Sequence, residues 1–375
     1  MLANPPCLDG QRYVREGRCT HPASFWATAW PPYTLALLGG RLRRAGHEVQ
    51  LVDAAVEPVD VPGFVRRVAG WSPRLVVLSV AGPSRASDLA VIGQLRRAAP
   101  RAVIAVLGVD ATAQPAAWLG ADGAQAAIRG EPELTVDELA AQLATGGPPA
   151  PLAGLSVAGE GGVEHGPERA VAADVTALGA PDWSLVAPGR YRLPGLGRPY
   201  LSLLTSRGCP HGCSFCTQHL YYGRQVRPRA PAAIAAEAAE LAARFGVQDF
   251  FLWSECFAAD RAHALAVCRA LAQVGPLSWA ATTRADDVDP ELLAAMRAAG
   301  CWLIGFGFES GAPEVLAGCG KGHAVETAVR AARWARQAGL VVLGHFIFGL
   351  PGETDATAGQ TLALALAAPD DLAQF

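Results

Sequence analysis

The chain has 375 residues, 51% of them hydrophobic and 17% charged, with a formal net charge of −3. That balance gives no electrostatic basis for binding nucleic acid or an anionic membrane. No uncharged apolar run reaches the length of a membrane span, and no basic segment with a following apolar stretch marks a secretion signal, so a cytoplasmic protein with two domain cores is expected.

Taken in order, residues 1–144 alternate short β-rich runs with helical stretches. Met1–Asn4 reads as a clipped strand, Tyr33–Ala45 as a helix ended by Gly46, Val49–Asp53 as a strand and Pro62–Ala69 as a helix. Leu75–Val80 is nearly all β-branched residues and Leu, the pattern of a strand buried on both faces. Leu89–Ala98 is helical, Ala102–Leu107 and Ala126–Ile128 are strands, and Leu134–Leu143 is a helix. The order implies a doubly wound parallel sheet whose ligands sit beyond the carboxyl ends of its strands. Residues 145–199 are rich in Gly and Pro and read as a linker. It holds a small hairpin, Leu155–Val157 and Val163–His165 about a turn at Glu160-Gly161-Gly162.

From residue 200 a second β/α series begins. Its strands are expected at Leu201–Thr205, Phe250–Trp253, Leu277–Thr283, Trp302–Phe306 and Val341–Phe348. Ala-rich helices fall near 231–244, 261–273, 290–299 and 324–338, with a fifth near 356–367. Five such units suggest a partial barrel over 200–375, with function at the strand carboxyl ends. Ala373-Gln374-Phe375 reads as the start of another strand, so the series is expected to be truncated before or within its sixth strand.

Among the nine cysteines there is one cluster. Cys209, Cys213 and Cys216 follow the first strand of the second series, with Gly208 and Gly212 permitting a tight loop. Three thiolates at this spacing can converge on three irons of one cubane and leave the fourth open to a small molecule. A zinc site would want a fourth ligand, for which His211 and His219 are the candidates. The remaining cysteines are scattered and read as small buried hydrophobes. Cys7, Cys19 and His21 are too irregularly spaced to define a further metal site.

The run Cys209-Pro210-His211-Gly212-Cys213-Ser214-Phe215-Cys216, placed after a strand at the head of a β/α series, resembles the radical S-adenosylmethionine (SAM) superfamily. The resemblance implies that the three cysteines hold a [4Fe-4S] cluster whose open iron binds SAM. One electron then cleaves SAM to methionine and a 5′-deoxyadenosyl radical. Further stretches resemble the same family. Phe215 would pack beside cluster and adenine, and Glu255 after the second strand would lie near the SAM amino group. Arg284 would reach the SAM carboxylate, unless it is spent on a salt bridge with Asp286 or Asp287. In Gly305-Phe306-Gly307-Phe308-Glu309-Ser310-Gly311, followed by Cys319-Gly320-Lys321-Gly322, Glu309 and Ser310 would contact SAM. In Gly344-His345-Phe346-Ile347-Phe348-Gly349, Phe346 and Ile347 would meet adenine. Cys256 beside Glu255 reads as a buried thiol rather than a reactive one.

The doubly wound sheet ahead of this series resembles the cobalamin (B12)-binding subgroup of that superfamily. Asn4-Pro5-Pro6 and Arg129-Gly130-Glu131 fit it, and Ser79 and Gly108-Val109 stand at further expected contacts. The loop Asp53-Ala54-Ala55 has Ala where a cobalt-ligating His would be, and Val109 replaces a glycine that would let the backbone approach the nucleotide tail. Pro6, Ser79, Gly108, Val109, Gly130 and Glu131 are thus the expected cobalamin residues.

The resemblance as a whole implies a cobalamin-dependent radical SAM enzyme that transfers a methyl group to an unactivated carbon of a small molecule. A flavodoxin or ferredoxin would supply electrons. The alternatives are a radical cyclase or rearrangement enzyme similar to the anaerobic porphyrin-ester cyclase, and a non-catalytic cobalamin or Fe–S binding protein or inactive fragment.

Overall fold

The computed structural model of the chain describes residues 1–16, 19–22, 29–159, 161–193 and 195–375, without the side chains of 19–21. The side chains of Cys19 and His21, and Glu160 of the hairpin turn, therefore lie outside the described residues. The chain divides into two compact units, Met1–Ala173 with Ala177–Pro199 and Leu220–Tyr222, and Asp174–Thr176 with Tyr200–His219 and Gly223–Phe375.

In the first unit the strands are β1 (Leu2–Asn4), β2 (Tyr13–Glu16), β3 (Cys19–Pro22), β4 (Leu51–Asp53), β5 (Leu75–Ser79), β6 (Val103–Leu107), β7 (Ala126–Ile128), β8 (Leu155–Gly159) and β9 (Gly162–His165). Its α-helices are α1 (Tyr33–Arg44), α2 (Val61–Trp71), α3 (Arg85–Ala98), the short α4 (Val109–Ala113) and α5 (Glu133–Ala144). The main sheet runs β4-β1-β5-β6-β7-β8-β9, parallel from β4 to β7. Its parallel part has the flavodoxin-like order 2-1-3-4-5, which reverses direction between β1 and β5.

The double winding follows from alternation along the strands. Val76, Leu78, Ile104 and Val106 pack with Phe64, Val68, Val91 and Leu95 of α2 and α3. Their sequence neighbours Val77, Ala105 and Leu107 pack on the other face with Leu35, Leu38, Leu139 and Leu143 of α1 and α5. Successive side chains of a strand point to opposite faces, so an unbroken apolar run needs helices on both sides.

Two hairpins change the picture drawn from the sequence. The expected linker hairpin is part of this sheet: β8 pairs antiparallel with β7, and β9 with β8. The β2–β3 hairpin, between β1 and α1, was not expected at all. Its Arg15 is buried and donates to Asp88 Oδ1 at 2.8 Å, to the Pro5 carbonyl at 3.0 Å and to Ser84 Oγ at 3.3 Å.

In the second unit the strands are β10 (Tyr200–Leu204), β11 (Ser206–Arg207), β12 (Arg227–Pro228), β13 (Asp249–Trp253), β14 (Ser278–Thr283), β15 (Cys301–Glu309), β16 (Val341–Phe346) and β17 (Leu372–Gln374). After the short α6 (Gln218–Tyr221) come α7 (Pro231–Phe245), α8 (Arg261–Ala272), α9 (Pro290–Ala298), α10 (Pro313–Gly318), α11 (Val325–Gln337) and α12 (Asp355–Ala367). The sheet is parallel in the order β10-β13-β14-β15-β16-β17, each strand beside the next in sequence. A consecutive order is that of a singly wound β/α series, whose loops gather at the strand carboxyl ends. The sixth strand, expected to start at Ala373-Gln374-Phe375, spans Leu372–Gln374 and forms three parallel rungs on β16, Leu343 with Leu372 through His345 with Gln374.

Helix starts in this unit are capped as their sequences dictate. Asp260 accepts from the His263 amide at 3.0 Å, Asp289 from Leu292 at 2.8 Å, and Thr354 shares a capping box with Thr357. No helix among the described residues is long and apolar enough to cross a membrane.

Candidate functional site

The first strand of the second sheet leads straight into the cysteine loop. Beyond β10 the Thr205 amide donates to the Trp253 carbonyl at 2.8 Å. Then β11 pairs antiparallel with β12, Ser206 opposite Pro228 and Arg207 opposite Arg227. This two-rung neck closes the loop that carries the three cysteines. Gly208 turns out of the neck at φ 84°, and a Cβ there would fall on the Gln225 carbonyl oxygen, so only glycine fits. Inside the loop the Cys216 amide donates to the Cys213 carbonyl at 3.1 Å, and the Cys209 amide to the Gly223 carbonyl at 3.4 Å.

Cys209, Cys213 and Cys216 are half-buried and are not joined in disulfides. Among the described residues no three His, Cys, Asp or Glu side chains are placed to hold a single metal ion. Zinc makes that demand, whereas a cluster takes its thiolates on separate irons. The histidines offered for zinc have other partners: His211 Nε2 is 3.3 Å from Asp287 Oδ2, and His219 Nδ1 is 3.0 Å from the Cys216 carbonyl. Arg284 Nη1 approaches Cys213 Sγ at 3.6 Å. Three sulfurs on one closed loop with a cation beside them fit an iron–sulfur cluster of net negative charge.

Apart from Phe215, which sits in the cysteine loop, the expected SAM residues lie at the carboxyl ends of β13 to β16, and most are buried. Arg284, after β14, grips Asp286 through Nε and Nη2 at 2.9 and 2.8 Å. Burial alone would raise the Asp286 carboxyl, but the Arg284 hydrogen bonds and charge outweigh it and hold the group below the usual carboxylate range. The salt-bridge reading of Arg284 and its place beside the cysteine loop thus hold together.

Glu309 ends β15 at φ 63°, a left-handed conformation that costs a residue with a side chain about 1–3 kcal/mol. It is held there from two sides. Its carbonyl accepts from the Ile347 amide at 2.8 Å, and its buried carboxylate accepts from Lys321 Nζ at 2.7 Å. Gly307 leaves room for this pair, since a Cβ on it would meet Glu309 Oε1 and Lys321 Nζ.

Two of the expected ligand contacts are taken up by packing instead. Ser310 is fully buried; its Oγ lies 3.0 Å from Thr361 Oγ1 and accepts from the Ala312 amide at 3.2 Å, serving the turn into α10. Phe346 stacks between Phe308 and Phe375, with ring centroids 5.2 and 5.3 Å away. Phe215 and Ile347 do come together, both packing on the small core of Ala312, Val315, Cys319 and Leu350. Glu255 is buried just beyond β13.

Its neighbour Cys256 is a buried thiol whose Sγ donates to Asp287 Oδ2 at 3.1 Å. Burial, then the Asp287 charge, pushes its pKa up to about 12. At pH 8 a thiol reagent is therefore expected to alkylate Cys209, Cys213 and Cys216 of the iron-free native chain and to spare Cys256. Peptide mass spectrometry reads the result; rapid labelling of Cys256 would refute this placement.

In the first unit the carboxyl ends of the strands carry the six residues expected at cobalamin. Gly108 follows β6 at φ 135°, where a Cβ would stand 2.5 Å from the Val80 carbonyl oxygen. Gly130 follows β7 at φ 68° with open space around its Cβ position. Gly108 is thus required bare by its own neighbouring strand end, and Gly130 alone leaves open space where a ligand could come close. Pro6 is buried after β1.

The other three depart from expectation. Ser79 is not turned to a ligand: its Oγ donates to the Arg15 carbonyl at 2.8 Å beneath the β2–β3 hairpin. Val109 does not crowd an open backbone; it is buried against Tyr221 and Tyr222, which pack with this unit. A β-branched residue fills that contact as glycine could not. Glu131 gives one carboxylate oxygen to the Ala172 amide at 2.9 Å.

The comparisons with known proteins follow this division. The model of the radical SAM superfamily matches residues 203–365, and that of the B12 binding domain matches residues 26–140. A protein of Pyrococcus horikoshii named as an uncharacterized methyltransferase is 28% identical over 93% of this chain and 76% of its own length. The anaerobic magnesium-protoporphyrin IX monomethyl ester cyclase of Cereibacter sphaeroides is 27% identical, over 93% of this chain but 58% of its own length. Among solved structures, the radical S-adenosylmethionine methyltransferase TsrM of Kitasatospora setae, with tryptophan and a SAM analogue, superposes with a TM-score of 0.78. It covers all of this chain and 72% of the TsrM chain at 21% identity, a likeness of fold.

Proposed function

Because the chain belongs to the radical SAM enzymes that carry a B12 binding domain, we propose that it transfers a methyl group to an unactivated carbon of a small molecule. The cofactors of such an enzyme are a [4Fe-4S] cluster, SAM and cobalamin. Bound together, they supply one electron, a 5′-deoxyadenosyl radical and a transferable methyl group. The consecutive parallel sheet serves as a partial barrel that presents the strand ends to substrate.

The residues divide this work. Cys209, Cys213 and Cys216 would hold the cluster, and Arg284 offsets its charge from beside Cys213. Glu255 would set a buried carboxylate near the SAM amino group, and Glu309 would meet the SAM methionine and ribose. Phe215 and Ile347 form the apolar wall for adenine. Gly108, Gly130 and Pro6 lie at the strand ends that would receive cobalamin. A flavodoxin or ferredoxin supplies the electrons.

The observation that carries this reading is the neck-closed loop with three thiols and Arg284 at Cys213. Methylation is favoured over cyclisation because methyltransferase relatives include one aligned over most of both chains. The test uses anaerobically reconstituted chain with a reductant and SAM. Deoxyadenosine is expected, and with a competent substrate the product gains the mass of one methylene unit. A product that lost hydrogen and gained no carbon would favour the cyclase reading, and absence of SAM cleavage by iron-loaded protein would refute both.

A further inference from the structure

The cysteine loop meets the rest of the second unit at several points, one of them the short turn that follows α10. Helix α10 closes with Gly320 at φ 69°, the Gly320 amide on the Ala317 carbonyl at 3.1 Å and the Lys321 amide on the Leu316 carbonyl at 3.0 Å. A helix end of this kind turns its last carbonyls outward, where they need donors. Both donors come from the site. The Ser214 amide, between Cys213 and Cys216, donates to the Cys319 carbonyl at 2.9 Å. Arg284 Nη2 donates to the Lys321 carbonyl at 2.5 Å. The Gly320 Cβ position lies 3.4 Å from the Gly212 carbonyl oxygen, so the two stretches of backbone run in contact.

From these contacts we infer that Cys319–Gly322 is a clip that sets the cysteine loop against the strand ends, and that Lys321 is its positioning residue. The ammonium anchors the clip to Glu309 at the end of β15, and the backbone carbonyl of the same residue holds Arg284 at Cys213. Lys321 thereby joins three stretches distant in sequence: the loop, the end of β14 and the end of β15. Its side chain and that of Glu309 are 5% and 9% exposed, so solvent screens their attraction little. Lys321 acts through the groups it holds, and no contact with substrate is assigned to it.

The inference rests on the reading of this loop as the cluster site, and its test separates the two. Lys321→Met is compared with Lys321→Met/Glu309→Gln, which leaves no buried unpaired carboxylate and so preserves the fold. In the iron-free full-length chain, hydrogen exchange at the Ser214 amide is expected to quicken at least about ten-fold in both variants. In the iron-loaded chain, SAM is expected to bind at least about ten-fold more weakly, followed by the change it causes in the spectrum of the reduced cluster. Lys321→Arg, which keeps the charge, should recover part of both effects.

Unchanged Ser214 exchange in folded variants overturns the clip, even if SAM binding falls, because Lys321 would then act on SAM directly. A wild-type chain that takes up no iron would instead refute the proposed function. The Ser214 exchange would still decide whether the clip exists.

Discussion

Cys213→Ala is expected to strip the chain of its iron–sulfur cluster and to lower deoxyadenosine formation by more than about 100-fold. That figure is the upper end of what loss of a supporting residue costs a metal site, and a direct ligand counts for more. Cys213 is the middle cysteine of a loop whose ends are pinned by β11 and β12, so its neighbours cannot slide to replace it. It also faces Arg284, whose Nη1 lies 3.6 Å from its sulfur. Iron and sulfide analysis with deoxyadenosine quantification reads both losses, and the same outcome is expected for Cys209→Ala and Cys216→Ala. Full iron content in Cys213→Ala would overturn the assignment.

Asp88→Ala is expected to destabilise the first unit by about 3–5 kcal/mol, the cost of leaving a buried charge without its partner. The Arg15 and Asp88 side chains are 2% and 0% exposed, so water cannot take the place of the lost carboxylate. Arg15 would keep the Pro5 carbonyl and Ser84 Oγ, neutral acceptors that leave its charge uncompensated. Ser84 would lose the carboxylate to which it donates at 2.7 Å. The double variant Arg15→Met/Asp88→Leu should recover much of the loss, since replacing both partners by apolar groups removes the unpaired charge. Urea unfolding followed by tryptophan fluorescence measures the difference. A single variant that loses less than about 1 kcal/mol would show the pair to be open to solvent.

What the sequence disclosed and what it hid have a common physical cause. Strands such as Leu75–Ser79 and Val103–Leu107 are legible because burial on both faces demands an unbroken apolar run. The β2–β3 hairpin hides because Tyr13-Val14-Arg15-Glu16 owes its place to a distant carboxylate, Asp88, rather than to its own pattern. The cysteine loop is legible because the proposed ligation of a cluster demands residue type and spacing together. Lys321 stood in a Gly-rich stretch noted for its motif, but its partner Glu309 is twelve positions earlier and its effect passes through backbone carbonyls, which carry no sequence signature. Ser79 and Val109 sit where a ligand-binding pattern would place them, yet tertiary packing claims both side chains.

The β8–β9 hairpin bears on how the first unit behaves among other copies of itself. Without it, the parallel sheet would end at Ala126-Ala127-Ile128, three apolar residues with a row of open amides and carbonyls. Such an edge is a template for intermolecular pairing, and it would be most dangerous on a nascent or heated chain. The hairpin transfers the edge to β9, four residues that begin with Gly162 and end in Glu164 and His165 and are mostly exposed. A short, polar outer strand gives a neighbouring molecule little length to zip along and a charge to meet. Colloidal solubility of a chain that is half hydrophobic is thus served by a device at the rim of its sheet.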